Sequence, residues 1–271
     1  MTQTQEPYRV LSFGAGVQST ALLVAACEGR LDRPDVAIFA DTGWEPAHTY
    51  AHLEAMTRYA DAYQLEIVRV SAGNLRATAL TGPDKFAAIP LAYRTPDGDI
   101  SRLRRQCTRE YKIAPITKEI RRQLGVKPRH RVRRPVELWI GISTDEASRM
   151  KPNWVTWQTN RWPLIELGLN RAACKTLIER AGLPVPGKSS CLACPYHSNG
   201  YFKEMKRDRP SEWADVVDFD HRIRALHQGK SSAKIQTPLY VHRSATPIDE
   251  VYLQEDQQNL FDEECEGYCE A

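Results

Sequence analysis

The chain has 271 residues, 42% of them hydrophobic and 26% charged, with a formal net charge of +3. That length allows a sizeable core, in one large domain or a domain with an appendage. The near-neutral balance excludes a polycation, and no apolar run is long enough to span a bilayer.

Met1 to Pro7 is polar and has no apolar leader region, so a cytoplasmic location with no membrane association is expected. In that setting the seven cysteines read as metal ligands or reactive thiols rather than structural disulfides.

Tyr8-Arg9-Val10-Leu11 is a short inner strand in the making. Ser12-Phe13-Gly14-Ala15-Gly16-Val17-Gln18-Ser19 follows, and Thr20 to Ala26 is an apolar run that predicts a buried helix. A strand, a Gly-containing turn and a helix make a phosphate cradle. The glycines admit the anion, turn amides donate to it, and the helix N-terminus adds a favourable dipole. Gln18, Ser19 and Thr20 add further donors. Taken alone, the stretch reads equally well as an ordinary βα turn, because short Gly patterns are weak signals.

Asp35 to Ala40 is a second strand, and Asp41-Thr42-Gly43-Trp44-Glu45-Pro46 follows at once. Polar residues just past a strand's carboxyl end lie where open α/β sheets bind ligands. Together, SFGAGVQST and FADTGWEPAHTY resemble the PP-loop ATP pyrophosphatases, in the branch of the phosphoadenosine phosphosulfate (PAPS) reductases and DNA phosphorothioation proteins. The usual loop is Ser-Gly-Gly-x-Asp-Ser; here Gln18 stands at the Asp position, as is common in the reductase-like members.

The resemblance implies an α/β fold with a doubly wound, mainly parallel sheet of the adenine nucleotide alpha hydrolase type. It also implies ATP with Mg²⁺, held by Ser12, Gly14, Gly16, Gln18, Ser19, Asp41 and Thr42, with Asp41 organising the metal or the ribose.

Residues 8 to about 72 read as βαβαβ, with a helix from Ala47 to Tyr63 and a third strand from Leu65 to Val70. That alternation itself calls for a parallel sheet. Residues 72 to 104, with scattered Gly, Pro and Asp, are expected to form a long loop over the site. A helix is expected from about Thr108 to Leu124. Before it stands Cys107, and Cys107, Lys112 and Pro115 fit the family's Cys-x-x-x-x-Lys-x-x-Pro pattern. The cluster-binding reductases have two adjacent cysteines here, whereas this chain has Gln106-Cys107.

Lys118 to Arg134 contains eight basic residues from Arg121 onward and no aromatic one. The run reads as a phosphate-binding patch for a nucleic acid, beside the nucleotide pocket, or as a solvated helix end. Val136 to Ile142 predicts a strand. Ser143-Thr144-Asp145-Glu146-Ala147-Ser148-Arg149 follows it, and in the family an acidic pair and an Arg stand here, so Arg149 is a candidate phosphate ligand.

The domain boundary is placed at 160/161, between a nucleotide-binding domain (1–160) and a helical C-terminal region (161–271). Asn170 caps a helix that carries Cys174. Cys191-Leu192-Ala193-Cys194-Pro195 matches the family's Cys-x-x-Cys-Pro signature, and the resemblance spans roughly residues 8 to 200. A further helix is expected from Tyr201 to Gln228, before a polar, acidic tail.

Thiolates bind iron–sulfur clusters or zinc. With the motif positions of the family, Cys107, Cys174, Cys191 and Cys194 are expected to hold a [4Fe–4S] cluster, with zinc as the alternative. Cys27 reads as core packing, and His197 as a local hydrogen-bonding residue.

The leading functional reading is ATP cleavage to AMP and pyrophosphate that activates a nucleic acid, DNA or tRNA, for sulfur insertion. A cysteine desulfurase would be the possible sulfur donor, with Asp41 and Arg149 serving the chemistry. The alternative is a thioredoxin-dependent PAPS or adenosine phosphosulfate (APS) reductase. Its C-terminal Glu-Cys-Gly-Leu/Ile-His signature is altered here to Glu264-Cys265-Glu266-Gly267-Tyr268, and acid beside a thiol raises its pKa. A non-catalytic nucleotide-binding subunit is the third reading.

Overall fold

The structure is a computed structural model, and it describes residues 5–81, 88–227 and 237–254. The chain runs β1 (Tyr8–Ser12), α1 (Val17–Cys27), β2 (Val36–Asp41), α2 (Ala47–Ala62), β3 (Ile67–Ser71) and a short α3 (Leu75–Ala79). A hairpin of β4 (Ala92–Arg94) and β5 (Ile100–Arg102) follows, then a π-helical segment (Thr108–Ile113) that continues into α4 (Ala114–Gln123). Next come β6 (Val136–Trp139), a 3₁₀ segment (Thr144–Arg149) and β7 (Gln158–Arg161). The helices α5 (Pro163–Glu166), α6 (Arg171–Arg180), α7 (Asn199–Asp208) and α8 (Pro210–His227) complete it.

Five strands form one parallel sheet in the order β3-β2-β1-β6-β7, so the fold is α/β and doubly wound as expected. Strand alternation explains the layers. Leu11, Phe13, Ala37, Phe39 and Trp139 face α1, α2 and α6, while Val10, Val36, Ile38, Val136 and Leu138 face Ile116 and Ile120 of α4. Helices on both faces bury the strands twice over, which is why these strands read as nearly continuous apolar runs. α1 is enclosed almost all round, with every residue from Val17 to Ala26 buried. A third core joins Trp44, the hairpin and α3 to α7, α8 and residues 239–248. Its helices α7 and α8 form the C-terminal helical region, whereas α5 and α6 pack into the α1 layer.

Two expectations are corrected, and one strand is new. Residues 72–104 are not one loop: α3 and the hairpin lie within them, and Ala92 pairs with Tyr240. β7 was not anticipated, because Gln158-Thr159-Asn160-Arg161 carries no apolar pattern. The basic stretch does not lie beside the nucleotide loop. Tyr8 pairs with Val136 at the amino ends of parallel β1 and β6, so residues 129–134 sit at the opposite end of the sheet from Gly14. The 5-residue β1 separates the two by about 16 Å. Cys265 and Cys269 lie outside the described residues. Among the described residues no helix is long and apolar enough to cross a membrane.

Candidate nucleotide site and cysteine pocket

The chain turns from β1 to β2 on one side and reaches β6 on the other, so the sheet's switch point lies between β1 and β6. Open α/β sheets take ligands at the carboxyl ends of strands at such a point. The loop after β1 and the residues after β6 meet there. Ala15 holds the left-handed conformation, φ 57°, so the turn's strain falls on an alanine rather than on either glycine. A non-Gly residue in that region costs about 1–2 kcal/mol, and such strain clusters at functional sites. Gly16 is the N-cap of α1; its amide donates to Ser19 Oγ at 3.2 Å, and its carbonyl accepts from the Thr20 amide. The first-turn amides of a helix have no intrahelical acceptor, and here they lie at the switch point.

Gln18 is fully buried, and its amide is held at both ends. Nε2 donates to Glu146 at 3.0 Å and to Ser143 at 3.5 Å, and Oε1 accepts from Arg171 at 2.9 Å. Glu146 also accepts from Arg149 at 2.6 Å. The candidate phosphate ligand Arg149 is therefore poised through a carboxylate one step from the loop. Arg171, which no motif signals, joins α6 to the same network. Thr20 hydrogen-bonds His52 at 2.8 Å, and burial pushes that imidazole down to about 4.

Asp41, at the end of β2, is clamped. It accepts from the Gly43 amide at 2.8 Å, Tyr50 Oη at 2.8 Å, and Arg69 at 3.1 and 2.6 Å. Burial alone would raise its pKa, but the hydrogen bonds, led by Arg69, hold it below the usual carboxylate range. Four donors match the roughly four lone-pair sites of a carboxylate. Thr42 points the other way: it donates to Glu45 at 2.9 Å and accepts from the Cys191 thiol at 3.3 Å.

Thr42, Cys107, Thr108, Lys112, Cys191 and Cys194 line one pocket beside the loop. The two sites are joined, because Ser189 donates to the Gly14 carbonyl and the Leu192 amide to the Trp44 carbonyl. Cys107 leads into the π-helical segment, a rare form frequent at functional sites. Burial and Glu45 push the Cys191 thiol well up, against Lys112.

Two buried polar atoms of pocket-lining residues have no hydrogen-bond partner among the described residues: Thr108 Oγ1 and Ser190 Oγ. Buried polar atoms are nearly always paired, so these fit a polar guest.

Cys174 is elsewhere, fully buried in the core between α6 and α1. The structure therefore gathers three of the four expected thiols. Among the described residues no three His, Cys, Asp or Glu side chains converge closely enough to hold a metal ion. None of the five described cysteines is in a disulfide. Cys27 packs against the core and burial raises it to about 11, and His197 bonds the Cys191 carbonyl at 2.9 Å.

No family model matches the chain, and no curated protein matches it. Among solved structures it is similar to phosphoadenylyl-sulfate (PAPS) reductase from Candida auris in complex with phosphate, at 16% identity and a TM-score of 0.42. That likeness covers 68% of this chain and 79% of the other.

Sequence reasoning named the loop, Asp41, Thr42, Arg149 and the three cysteines that the structure places at this end of the sheet. It missed Tyr50 and Arg69, which clamp Asp41, and Glu146, Arg171 and Ser189, which fix the loop. The two arginines follow no motif, and they reach the site from β3 and from the start of α6.

Proposed function

We propose that the chain cleaves ATP between the α- and β-phosphates to activate a nucleic acid, DNA or tRNA, for sulfur insertion. The observation that carries this reading is the strained β1–α1 loop with its helix N-terminus at the switch point. In this reading the loop amides and the Ser12 and Ser19 hydroxyls hold the pyrophosphate portion. Gln18, locked by Glu146 and Arg171, keeps the first turn in place. Arg149 stabilises charge on the phosphates as they part, an electrostatic effect of fixed donors. The Asp41 clamp orients the ribose side, and Mg²⁺ would screen the phosphates.

An oxygen of the acceptor attacks the α-phosphorus, and the bond to pyrophosphate breaks. A sulfur nucleophile, supplied for instance by a cysteine desulfurase, then attacks the atom bearing that oxygen, and AMP leaves. Cys107, Cys191 and Cys194 line one pocket but would have to draw closer together to hold an iron–sulfur cluster or zinc, which when bound would supply a sulfur-binding or structural centre.

A second reading, a sulfonucleotide reductase, is favoured by one observation: the basic stretch lies away from the loop, so no surplus of cations asks for a polyanion beside the reacting phosphates. One preparation tests both. Release of AMP and pyrophosphate from ATP, lost in Gly16→Val, supports the first reading. Thioredoxin-dependent sulfite release from PAPS, lost in Cys265→Ser or Cys269→Ser, supports the second and overturns the first.

A further inference from the structure

At the amino ends of β6 and β7 lies an open groove. Arg129, His130, Arg131, Arg133 and Arg134 line one side, and Trp157 and Thr159, at the start of edge strand β7, line another. No Asp or Glu lines it. Several arginines elsewhere pair with carboxylates: Arg122 with Glu119, Arg161 with Glu166, Arg209 with Glu212. Arg129, Arg131 and Arg133 are exposed and have no carboxylate partner among the described residues. Holding three like charges together without counter-charges costs stability, which makes an external anion their natural partner.

The groove is also preformed. Arg121 donates to the carbonyls of Lys127 and His130, at 2.6 and 2.7 Å, and so closes the loop that bears Arg129. Arg134 donates to the Glu6 carbonyl and lies over the Tyr8 ring. The basic run holds no aromatic residue of its own, but the fold brings Trp157 to it from beyond β6. Guanidinium groups match phosphates in a fork, and an indole offers a stacking face for a base.

We propose that this groove binds single-stranded nucleic acid, with Arg129, Arg131 and Arg133 on the phosphates and Trp157 stacked on a base. The concave shape and the indole favour a flexible strand over a flat anionic membrane. The site extends the reading above by giving its acceptor an anchor, one end of the sheet away from the nucleotide loop. A bound strand must pass the β7 edge to reach the chemistry. The groove's binding does not depend on that reading.

The test is fluorescence anisotropy with a labelled oligothymidylate over a salt series, on the full chain. Binding should weaken with salt, and Arg129→Gln/Arg131→Gln/Arg133→Gln should shrink the slope of log K against log salt by about 2, at about 0.7 per phosphate contact. The control Arg58→Gln/Lys175→Gln/Arg180→Gln makes the same change in net charge on exposed helix positions and should leave the slope alone. Trp157→Ala should weaken binding about tenfold, and Trp157→Tyr should restore most of it if the ring stacks. Trp157 is half-buried against the α4 face of the sheet, so an unchanged urea midpoint in Trp157→Ala is what separates stacking from a folding defect.

An unchanged slope in the groove triple, an equal change in the control triple, or duplex DNA binding as tightly as the single strand would overturn the proposal. ATP titration of the same variants keeps the two ideas apart. Groove variants should bind ATP normally, and Gly16→Val should bind the oligonucleotide normally. If the wild-type chain ignores ATP yet binds the strand through the groove, the nucleotide reading fails and this one stands.

Discussion

Replacing Glu146 by Gln tests the network behind the phosphate loop. Glu146 and Arg149 meet at 2.6 Å, and each side chain is only 12% exposed. Exposed pairs contribute about 0–1 kcal/mol, while removing one partner of a fully buried pair costs about 3–5 kcal/mol. This pair lies nearer the buried limit, so Glu146→Gln should cost about 2–3 kcal/mol. At roughly 2–4 °C per kcal/mol for a chain of this size class, Tm should fall by about 4–12 °C. A double-mutant cycle with Arg149→Met, read by urea unfolding, should give a coupling of about 2 kcal/mol. Calorimetry with pyrophosphate supplies the functional arm. Releasing Arg149 from its carboxylate should tighten binding in Glu146→Gln, and removing it should weaken binding in Arg149→Met, each by about tenfold (1.4 kcal/mol). A coupling below about 0.5 kcal/mol, or pyrophosphate affinity unmoved in both variants, would refute the reasoning.

Gly16→Val places a branched side chain at the N-cap of α1 and should abolish ATP binding in a calorimetric titration; full affinity would remove the loop from the site. Cys107→Ser, Cys191→Ser and Cys194→Ser should each strip iron or zinc from anaerobically purified protein, whereas Cys174→Ser should retain it, as metal analysis would report. Acid should destabilise the fold through its buried histidines. Burial lowers His52 and His242 to about 4 and His197 to about 3, from an ordinary 6.5. Below pH 6.5 the unfolded chain takes up protons that the folded one refuses, so stability falls with pH down to about pH 4, by about 1.4 kcal/mol per pH unit for each histidine. Urea unfolding between pH 7 and pH 5 measures this, and His52→Gln should lower the slope; a flat profile would mean that the three rings are solvated.

The sequence by itself determined the local half of this protein. β1, the Gly14–Gly16 turn and α1 were legible because strand, turn and apolar helix each carry a signal within a few residues. The Asn170 cap was legible for the same reason: its side chain accepts from the Ala173 amide, three residues on. The parallel sheet followed from alternating elements. Tertiary structure alone decided what meets what. Strand order sent the basic run to the far end of the sheet and brought Trp157 to it. The packing of α6 on α1 took Cys174 into the core, away from the three other thiols. Asp41 was expected to organise the metal or the ribose, yet β3, paired beside β2, brings Arg69 onto it. Hydrophobic periodicity records which face of an element is buried, but not which neighbour buries it. Pairs such as Gln18 and Arg171, 153 residues apart, exist only once that choice is made.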